Sequence, residues 1–387
     1  MDHVKFGIIG VGNMGTSHSK NIISGAVPGG VLAAVADRDP ARREWAKENL
    51  PGVTIFEEGD DLIDSGLVDA VIVAVPHYQH PVLSIKAMKK GINVVCEKPA
   101  GVFTKAVREM NAVADESDVT FAMMFNQRTN CVFRKMKELV DSGKYGEIKR
   151  VNWIITDWYR TQAYYDSGAW RATWSGEGGG VLMNQCPHQL DLLQWICGLP
   201  VKVTAFCHEG KWHDIEVEDD VTAYLEFENG ATGVFITTTG DAPGTNRFEI
   251  TLDKAKIICE AVDGKFGIKM YELEIGQAEH IKTHPQGFGT PAGKWVDVET
   301  DGENLQHVGV LRAFVNHILK GEPLVANGQE GIRGLTLANA MQLSSWTGKT
   351  VELPLDEDLF LELLNKKIAG SKVKTGASVT FDTEGTY

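Results

Sequence analysis

The chain opens on a short apolar run, Val4 to Ile9, that closes directly on Gly10-Val11-Gly12-Asn13-Met14-Gly15, and a helix-patterned segment follows as far as Ile23. Strand, glycine turn and helix in that order leave few folds open. The first glycine permits the tight turn, the second lets the backbone approach a pyrophosphate, and the third lets the helix pack on the strand. The helix N-terminus then turns its free amides and partial positive charge toward the phosphates. Gly10, Gly12, Asn13, Met14 and Gly15 are therefore the expected cofactor cradle. Glycine-rich turns also arise for purely structural reasons, so the assignment needs the segments around it.

A second apolar run, Val31 to Ala36, ends in Asp37, 22 positions after Gly15. An acid about 20 residues beyond the turn accepts from the ribose hydroxyls and repels a 2'-phosphate, which favours NAD over NADP. Arg38 works the other way, because a guanidinium can pair with that phosphate. Asp39-Pro40 reads as a helix cap followed by a first-turn proline. Further strands are expected at Val53 to Phe56, Ala70 to Val75, Ile92 to Cys96 and Val119 to Phe125, with helices at Pro81 to Lys90 and Thr104 to Glu116 between them. Apolar strands alternating with helices predict a parallel sheet covered on both faces, with ligands at the carboxyl ends of its strands. Pro76, His77, Glu97, Lys98, Asn126 and Arg128 all fall at such ends, and His80 follows closely. Lys98 precedes Pro99, which biases it to extended backbone at a strand end.

After a helix from Cys131 to Asp141 and a connector at 142–146 the pattern changes. Strands are expected at Arg150 to Thr156, Val201 to Cys207, Val221 to Phe227, Thr232 to Thr239, Arg247 to Leu252 and Ala255 to Glu260, several joined by turns such as 228–230 and 263–264. The segment 274–303 reads as loop and short strands, Val308 to Leu319 and Glu330 to Ser345 as helices, and the tail past Lys366 as loosely ordered. The fold class is thus α/β plus α+β. An N-terminal Rossmann dinucleotide-binding domain over 1–128 precedes a mostly antiparallel open-sheet domain for substrate binding and oligomerisation over 129–387, with helices around 308–345 able to pack back on the first.

The stretch from Tyr159 to Asp191 gathers Tyr159, Tyr164, Tyr165, Trp170, Arg171 and Trp174, a triple glycine at 178–180, then Asn184 and His188. Asn184 and His188 share one side if a helix extends over both, and Asp191 falls three beyond His188, where it could orient the ring. Pro187 places the helix start nearby. Each feature also has a structural reading: a core aromatic, a turn, a hydrogen-bonded histidine. Asn184 is a poor metal ligand and no ligand set accompanies it, so no metal is expected.

The 387 residues carry a formal charge of −14, which argues against nucleic acid or an anionic membrane surface as partner. Six cysteines without a C-x-x-C pair fit free thiols in a reducing, cytoplasmic setting, and neither a signal peptide nor a membrane span is legible.

The motifs together resemble the Gfo/Idh/MocA family, which includes glucose-fructose oxidoreductase and inositol dehydrogenase. The resemblance rests on Gly10 to Gly15, Val71 to Pro76 with His80 beyond, Gly91 to Pro99 with its Glu-Lys-Pro, Trp170-Arg171, Gly178 to Leu193, and Glu330 to Gly348 leading into Val351-Glu352-Leu353-Pro354. It implies a lysine at Lys98, often before a cis proline, near the nicotinamide, and a carboxylate and a histidine where Asn184 and His188 stand. The chain departs from the pattern at Asn184, since an amide cannot accept a proton. The resemblance also implies that the open sheet makes oligomer contacts, here a homodimer or homotetramer.

The expected activity is oxidation of a secondary ring hydroxyl of a sugar, glycoside or cyclitol by NAD, or the reverse reduction. Lys98, His188 and Asn184 are the catalytic candidates, and Arg128, Tyr159, Arg171 and Trp174 the further substrate contacts. Three alternatives stand beside it: a lyase or glycosidase that oxidises its substrate transiently with tightly held NAD, a non-catalytic nicotinamide sensor, and a dipeptide-level or bilin-type reductase preferring NADPH.

Overall fold

The computed structural model describes residues 2–262, 264–372 and 374. Asp263, in one of the expected hairpin turns, and the tail from residue 375 onward, with residue 373, lie outside them; the first residues past Lys366, expected to be loosely ordered, finish a helix that runs to Ala369.

Six short strands make the first sheet: β1 (Val4–Ile9), β2 (Gly30–Ala36), β3 (Thr54–Phe56), β4 (Ala70–Val73), β5 (Asn93–Cys96) and β6 (Phe121–Met123), all parallel in the order β3-β2-β1-β4-β5-β6. The order reverses between β1 and β4, the crevice where such sheets bind ligands. Helices α1 (Asn13–Ile23), α2 (Pro40–Asn49), α3 (Gly59–Asp64), α4 (Gln79–Lys89) and α5 (Thr104–Asp115) form the crossovers. Asp39 caps α2 by accepting from the Ala41 amide at 2.8 Å, with Pro40 in the first turn. Because both faces are covered, nearly every residue of β1, β4 and β5 is buried, so these strands are continuous apolar runs rather than alternating ones.

After α6 (Cys131–Asp141) the chain builds a nine-stranded sheet from β7 (Ile148–Ile155), β8 (Lys202–Glu209), β9 (Glu218–Glu226), β10 (Thr232–Thr238), β11 (Asn246–Leu252), β12 (Ala255–Val262), β13 (Lys265–Leu273), β14 (Gly293–Asp297) and β15 (Val351–Glu352). Every pairing is antiparallel except β7 with β10. Between β7 and β8 lie α7 (Gln162–Asp166) and α8 (Pro187–Cys197); in the stretch that reads as loop and short strands, β14 is such a strand and α9 (Gln277–Thr283) is a helix not expected there. Burial alternates with period two along β8 to β12, so one face is core and the other open. Trp153 on β7 stacks on Phe248 of β11, centroids 4.0 Å apart, at the centre of the covered face.

Two helices from late in the chain hold the halves together. Helix α10 (Gln306–Lys320) lies beneath the first sheet, where Val310, Leu311, Phe314 and Val315 join Val4, Phe6 and Ile8 in one apolar cluster. Helix α11 (Gly331–Thr347) is buried along most of its length against α8, β8 and α5. A last helix, α12 (Glu357–Ala369), follows β15, and its side chains meet α5 through the Arg108–Glu357 and Lys105–Asp358 pairs.

Candidate active site

The glycine turn between β1 and α1 is built for a close-lying ligand. A Cβ on Gly15 would sit 1.8 Å from the Gly10 carbonyl oxygen, and Gly10 itself has φ +94°. A Cβ on Gly12, by contrast, would meet nothing within 4 Å. The backbone at Gly12 therefore faces open space at the mouth of α1, as a pyrophosphate cradle requires. Beside it Asp37 accepts from the Val11 amide at 2.6 Å and the Asp39 amide at 2.9 Å, which fixes the acid at the end of β2 next to the turn. Arg38 points away to Glu58 and is mostly exposed. At the end of β6 the Asn126 side chain donates to Gln306, and its buried carbonyl oxygen has no partner among the described residues. An open glycine face, an anchored acid and an orphaned acceptor along one sheet edge fit a bound dinucleotide, with Asn13 and Met14 opening α1 at the same place.

Lys98 follows β5 through a cis Lys98–Pro99 peptide, and its ammonium donates to the backbone carbonyl of Asn184 at 3.1 Å. Burial pulls its pKa down, while Glu97 and Glu177 oppose the shift. Glu97 accepts from His18 at 2.7 Å; burial works against its charge, yet His18, His307 and Lys98 prevail and hold the carboxyl at about 2. His77 is buried, with Nδ1 on the Glu177 carbonyl at 3.1 Å. His80 faces the carbonyl oxygen of Pro99 through Nδ1 at 2.6 Å and that of Val75 through Nε2 at 2.7 Å, so its ring links the Lys98–Pro99 turn to the segment after β4. Pro76 is exposed at the end of β4.

His188 is the second residue of α8 and is 4 % exposed, with neither ring nitrogen hydrogen-bonded among the described residues. Burial drives its pKa well below the ordinary value, and Lys98 and His307 lower it further. The ring is therefore a neutral imidazole at neutral pH with a free acceptor. Helix α8 begins at Pro187, so Asn184 lies in the preceding turn rather than on a shared helical face. Asp191 does not orient His188 as the spacing suggests. It accepts both arms of the Arg128 guanidinium, at 2.7 and 2.8 Å.

That pairing also corrects the expectation for Arg128. Its side chain is 1 % exposed and also bonded to Glu330 at 2.8 Å, so it ties three elements together in the interior rather than facing a substrate. Trp174 is likewise core, 3 % exposed and edge-on to Trp346. Tyr159 is half exposed at the rim. Arg171 stays at the site: its guanidinium lies 4.6 Å from the ring centres of both Tyr164 and Trp170 and donates to the Tyr164 hydroxyl at 2.9 Å.

Tyr164, named only as one of the aromatics of its stretch, and two acids that sequence reasoning did not single out, Glu177 and Glu218, complete the arrangement. Tyr164 donates its hydroxyl proton to the Asn184 side-chain oxygen at 3.3 Å and accepts from Gln185 at 3.2 Å. The Asn184 amide donates to Glu177, whose other oxygen accepts from the Ala172 amide at 2.6 Å. Glu177 is 2 % exposed. Its only trace in the sequence is its place directly before the triple glycine, where an acid has no obvious structural use. The loop itself is fixed by Glu218, which accepts from the amides of Gly180 at 2.9 Å and Leu182 at 3.4 Å. Among the described residues no group of three or more potential ligands is placed to hold a metal ion, and no helix is long and apolar enough to cross a membrane.

Two family models match the chain. Residues 4–125 match the oxidoreductase family, NAD-binding Rossmann fold, and residues 133–258 match the GFO/IDH/MocA C-terminal domain. Among curated proteins, myo-inositol 2-dehydrogenase of Thermotoga maritima is 25% identical over 358 residues, 90% of this chain and 98% of that protein. Inositol 2-dehydrogenase of Corynebacterium glutamicum is 24% identical over 59% of this chain, and the match spans 64% of its length. Among solved structures, the WlbA dehydrogenase of Chromobacterium violaceum, in complex with NADH and UDP-GlcNAcA, superposes with a TM-score of 0.77 at 28% identity, over 92% of this chain and 97% of that one.

Proposed function

This chain belongs to the Gfo/Idh/MocA family of NAD-binding oxidoreductases, and we propose that it oxidises a secondary ring hydroxyl of a sugar, glycoside or cyclitol, or runs the reverse reduction. One observation carries the reading: a buried, neutral histidine with two free ring nitrogens beside a lysine ammonium, at the strand edge that holds the dinucleotide cradle. The relatives, inositol dehydrogenases and a dehydrogenase in complex with NADH and UDP-GlcNAcA, support a polyol or sugar substrate.

Bound NAD supplies the hydride acceptor. The remaining work falls to the chain. His188 accepts the hydroxyl proton of the substrate at a ring nitrogen as the carbon loses hydride, so one C–H and one O–H bond break and a ketone results. A neutral imidazole is the form able to do this. The Lys98 ammonium stabilises negative charge developing on that oxygen, in a low-dielectric setting where such a contact is strong. The remaining donor hydrogen of the Asn184 amide and the guanidinium of Arg171 orient neighbouring hydroxyls, and the faces of Tyr164 and Trp170 offer flat apolar surface to a sugar ring.

A panel of glycosides and inositols with NAD and NADP, followed by nicotinamide absorbance, tests the proposal. Reduced nicotinamide accumulating with at least one polyol and NAD is the expected result. Product formed without added cofactor or net reduction would instead mark a lyase or glycosidase. We propose a second copy of the chain as the partner for the open sheet face, where Phe206 and Tyr224 are exposed.

A further inference from the structure

Position 184 carries an amide, which cannot hold charge, yet the groups around it form a continuous run of directional hydrogen bonds. Arg171 donates to the Tyr164 oxygen at 2.9 Å, Tyr164 donates to Asn184 Oδ1 at 3.3 Å, and Asn184 Nδ2 donates to Glu177 Oε1. The chain runs from a cation to a carboxylate through two neutral side chains. Each oxygen of Glu177 faces an N–H donor, the second being the Ala172 amide, and that arrangement suits the ionised form. Because Oδ1 of Asn184 receives the tyrosine proton and Nδ2 serves Glu177, the amide cannot rotate without setting two donors or two acceptors against each other. Its backbone carbonyl at the same time receives the Lys98 ammonium.

We propose that Glu177 is the positioning residue of this active site: through Asn184 it supplies the negative charge that balances Lys98 and locks the amide in one orientation, replacing an acid at position 184 itself. The other acid near Lys98, Glu97, is bonded to His18 and to the Lys98 backbone amide, which leaves Glu177 as the acid on the substrate side. The charged and titratable groups facing Lys98 are Glu97, Glu177, Arg171, Cys186, His77, His80, His188 and His307, and those facing Glu177 include Arg171, Lys374, Lys98 and Tyr164. Burial prevails and holds the carboxyl of Glu177 above its ordinary range, while Arg171, the Ala172 amide, Asn184 and Lys374 all favour its charged form.

The inference rests on the oxidation reading for its kinetic meaning, but the experiment does not need a substrate. Competitive acetylation of Lys98, read by mass spectrometry across pH in the full chain, gives the apparent pKa of that amine. In Glu177→Gln it is expected to fall by about one pH unit, the effect of removing one nearby opposite charge. Glu177→Asp keeps the wild-type value. Asn184→Asp alone places two carboxylates in contact, which then share a proton and leave Lys98 little changed. The exchange Glu177→Gln with Asn184→Asp restores it. With an active substrate, the alkaline limb of the rate profile moves in parallel. A Lys98 profile in Glu177→Gln that superposes on wild type, in protein that binds NADH normally, would overturn the proposal and reduce Glu177 to a loop brace. If Glu177→Gln does not fold, the exchange variant decides: a wild-type Lys98 profile supports the proposal, and a failure to fold there too assigns Glu177 to scaffolding. Loss of polyol activity across the panel would overturn the oxidation reading while leaving the acetylation result standing.

Discussion

A histidine with neither ring nitrogen bonded among the described residues is an expensive thing to bury, since each unsatisfied polar group in an interior costs about 1–3 kcal/mol. His188 carries that cost at the start of α8, next to the lysine and the cofactor edge, where a free acceptor has a chemical use. Its depressed pKa fixes the sign of a pH effect. In the proposed reaction the neutral form does the accepting, so oxidation should hold its rate as pH falls through the ordinary histidine range near 6.5 and fail only at more acid pH. Initial rates across pH would show this, and an acid limb at or above the ordinary value would remove His188 as the acceptor. His188→Ala is expected to lose at least ~100-fold in turnover with NADH affinity intact, measured by steady-state kinetics and fluorescence titration. Lys98 and His188 are legible in the sequence because proline neighbours and a helix start mark their settings. The Arg128–Asp191 pair is not, because nothing in the local pattern joins two residues 63 positions apart. Glu177 escapes notice for a related reason: its partner Asn184 lies across a glycine loop whose path no periodicity reveals.

At the level of elements, the glycine turn separates two demands that its three glycines meet differently. Gly15 is required by the fold itself, whereas a Cβ at Gly12 would meet nothing within 4 Å. Gly12→Val should therefore leave the melting temperature of cofactor-free protein almost unchanged and weaken NADH binding at least about tenfold, a loss of ~1.4 kcal/mol. Calorimetry on the same sample reads both, and unaltered affinity would place the pyrophosphate elsewhere. The loop from Gly178 to Leu182 hangs on Glu218, whose burial lifts its carboxyl to about 7. A folded pKa above the unfolded one means that this carboxyl contributes most to stability in its protonated form, at acid pH, and that the contribution is lost as pH rises toward 7. Glu218→Gln keeps an acceptor for the two loop amides and removes the charge. Thermal melts should show the variant gaining on wild type by order 1–3 kcal/mol between about pH 5 and about pH 8; a constant difference across that range would mean that Glu218 does not titrate there. The parallel strands are legible because double burial makes them uniformly apolar. Strand β13 is not among the expected strands, although Phe266, Ile268 and Met270 alternate there with Lys265, Gly267 and Lys269; two lysines and a glycine in six residues dilute its apolar character, and of the six only Met270 is buried.

Across the whole molecule, the open face of the second sheet holds exposed Phe206 and Tyr224 on neighbouring strands, with half-buried Val234 and Ile236 beside them. A row of this kind is a natural seat for another copy of the chain. Sedimentation should give a multiple of the chain mass for wild type and the single chain for Phe206→Glu with Tyr224→Glu; a wild type that sediments as one chain would sink the idea. The second sheet is anticipated by the sequence in kind, though the return of α10 to the first sheet is stated there only as an option, because an amphipathic helix does not name the surface it covers. Phe314 reaches Phe6 at 6.0 Å between ring centres, and Arg312 bonds the Ala26 carbonyl at 2.8 Å. The dinucleotide half is thus finished by a helix encoded nearly two hundred residues after its last strand. Anyone cutting the gene after residue 128 to obtain a portable cofactor module, or splicing that stretch onto a foreign substrate half, would expose the floor of its sheet. A workable graft has to carry a second, distant segment of the chain: the helix from Gln306 to Lys320, rejoined by a linker.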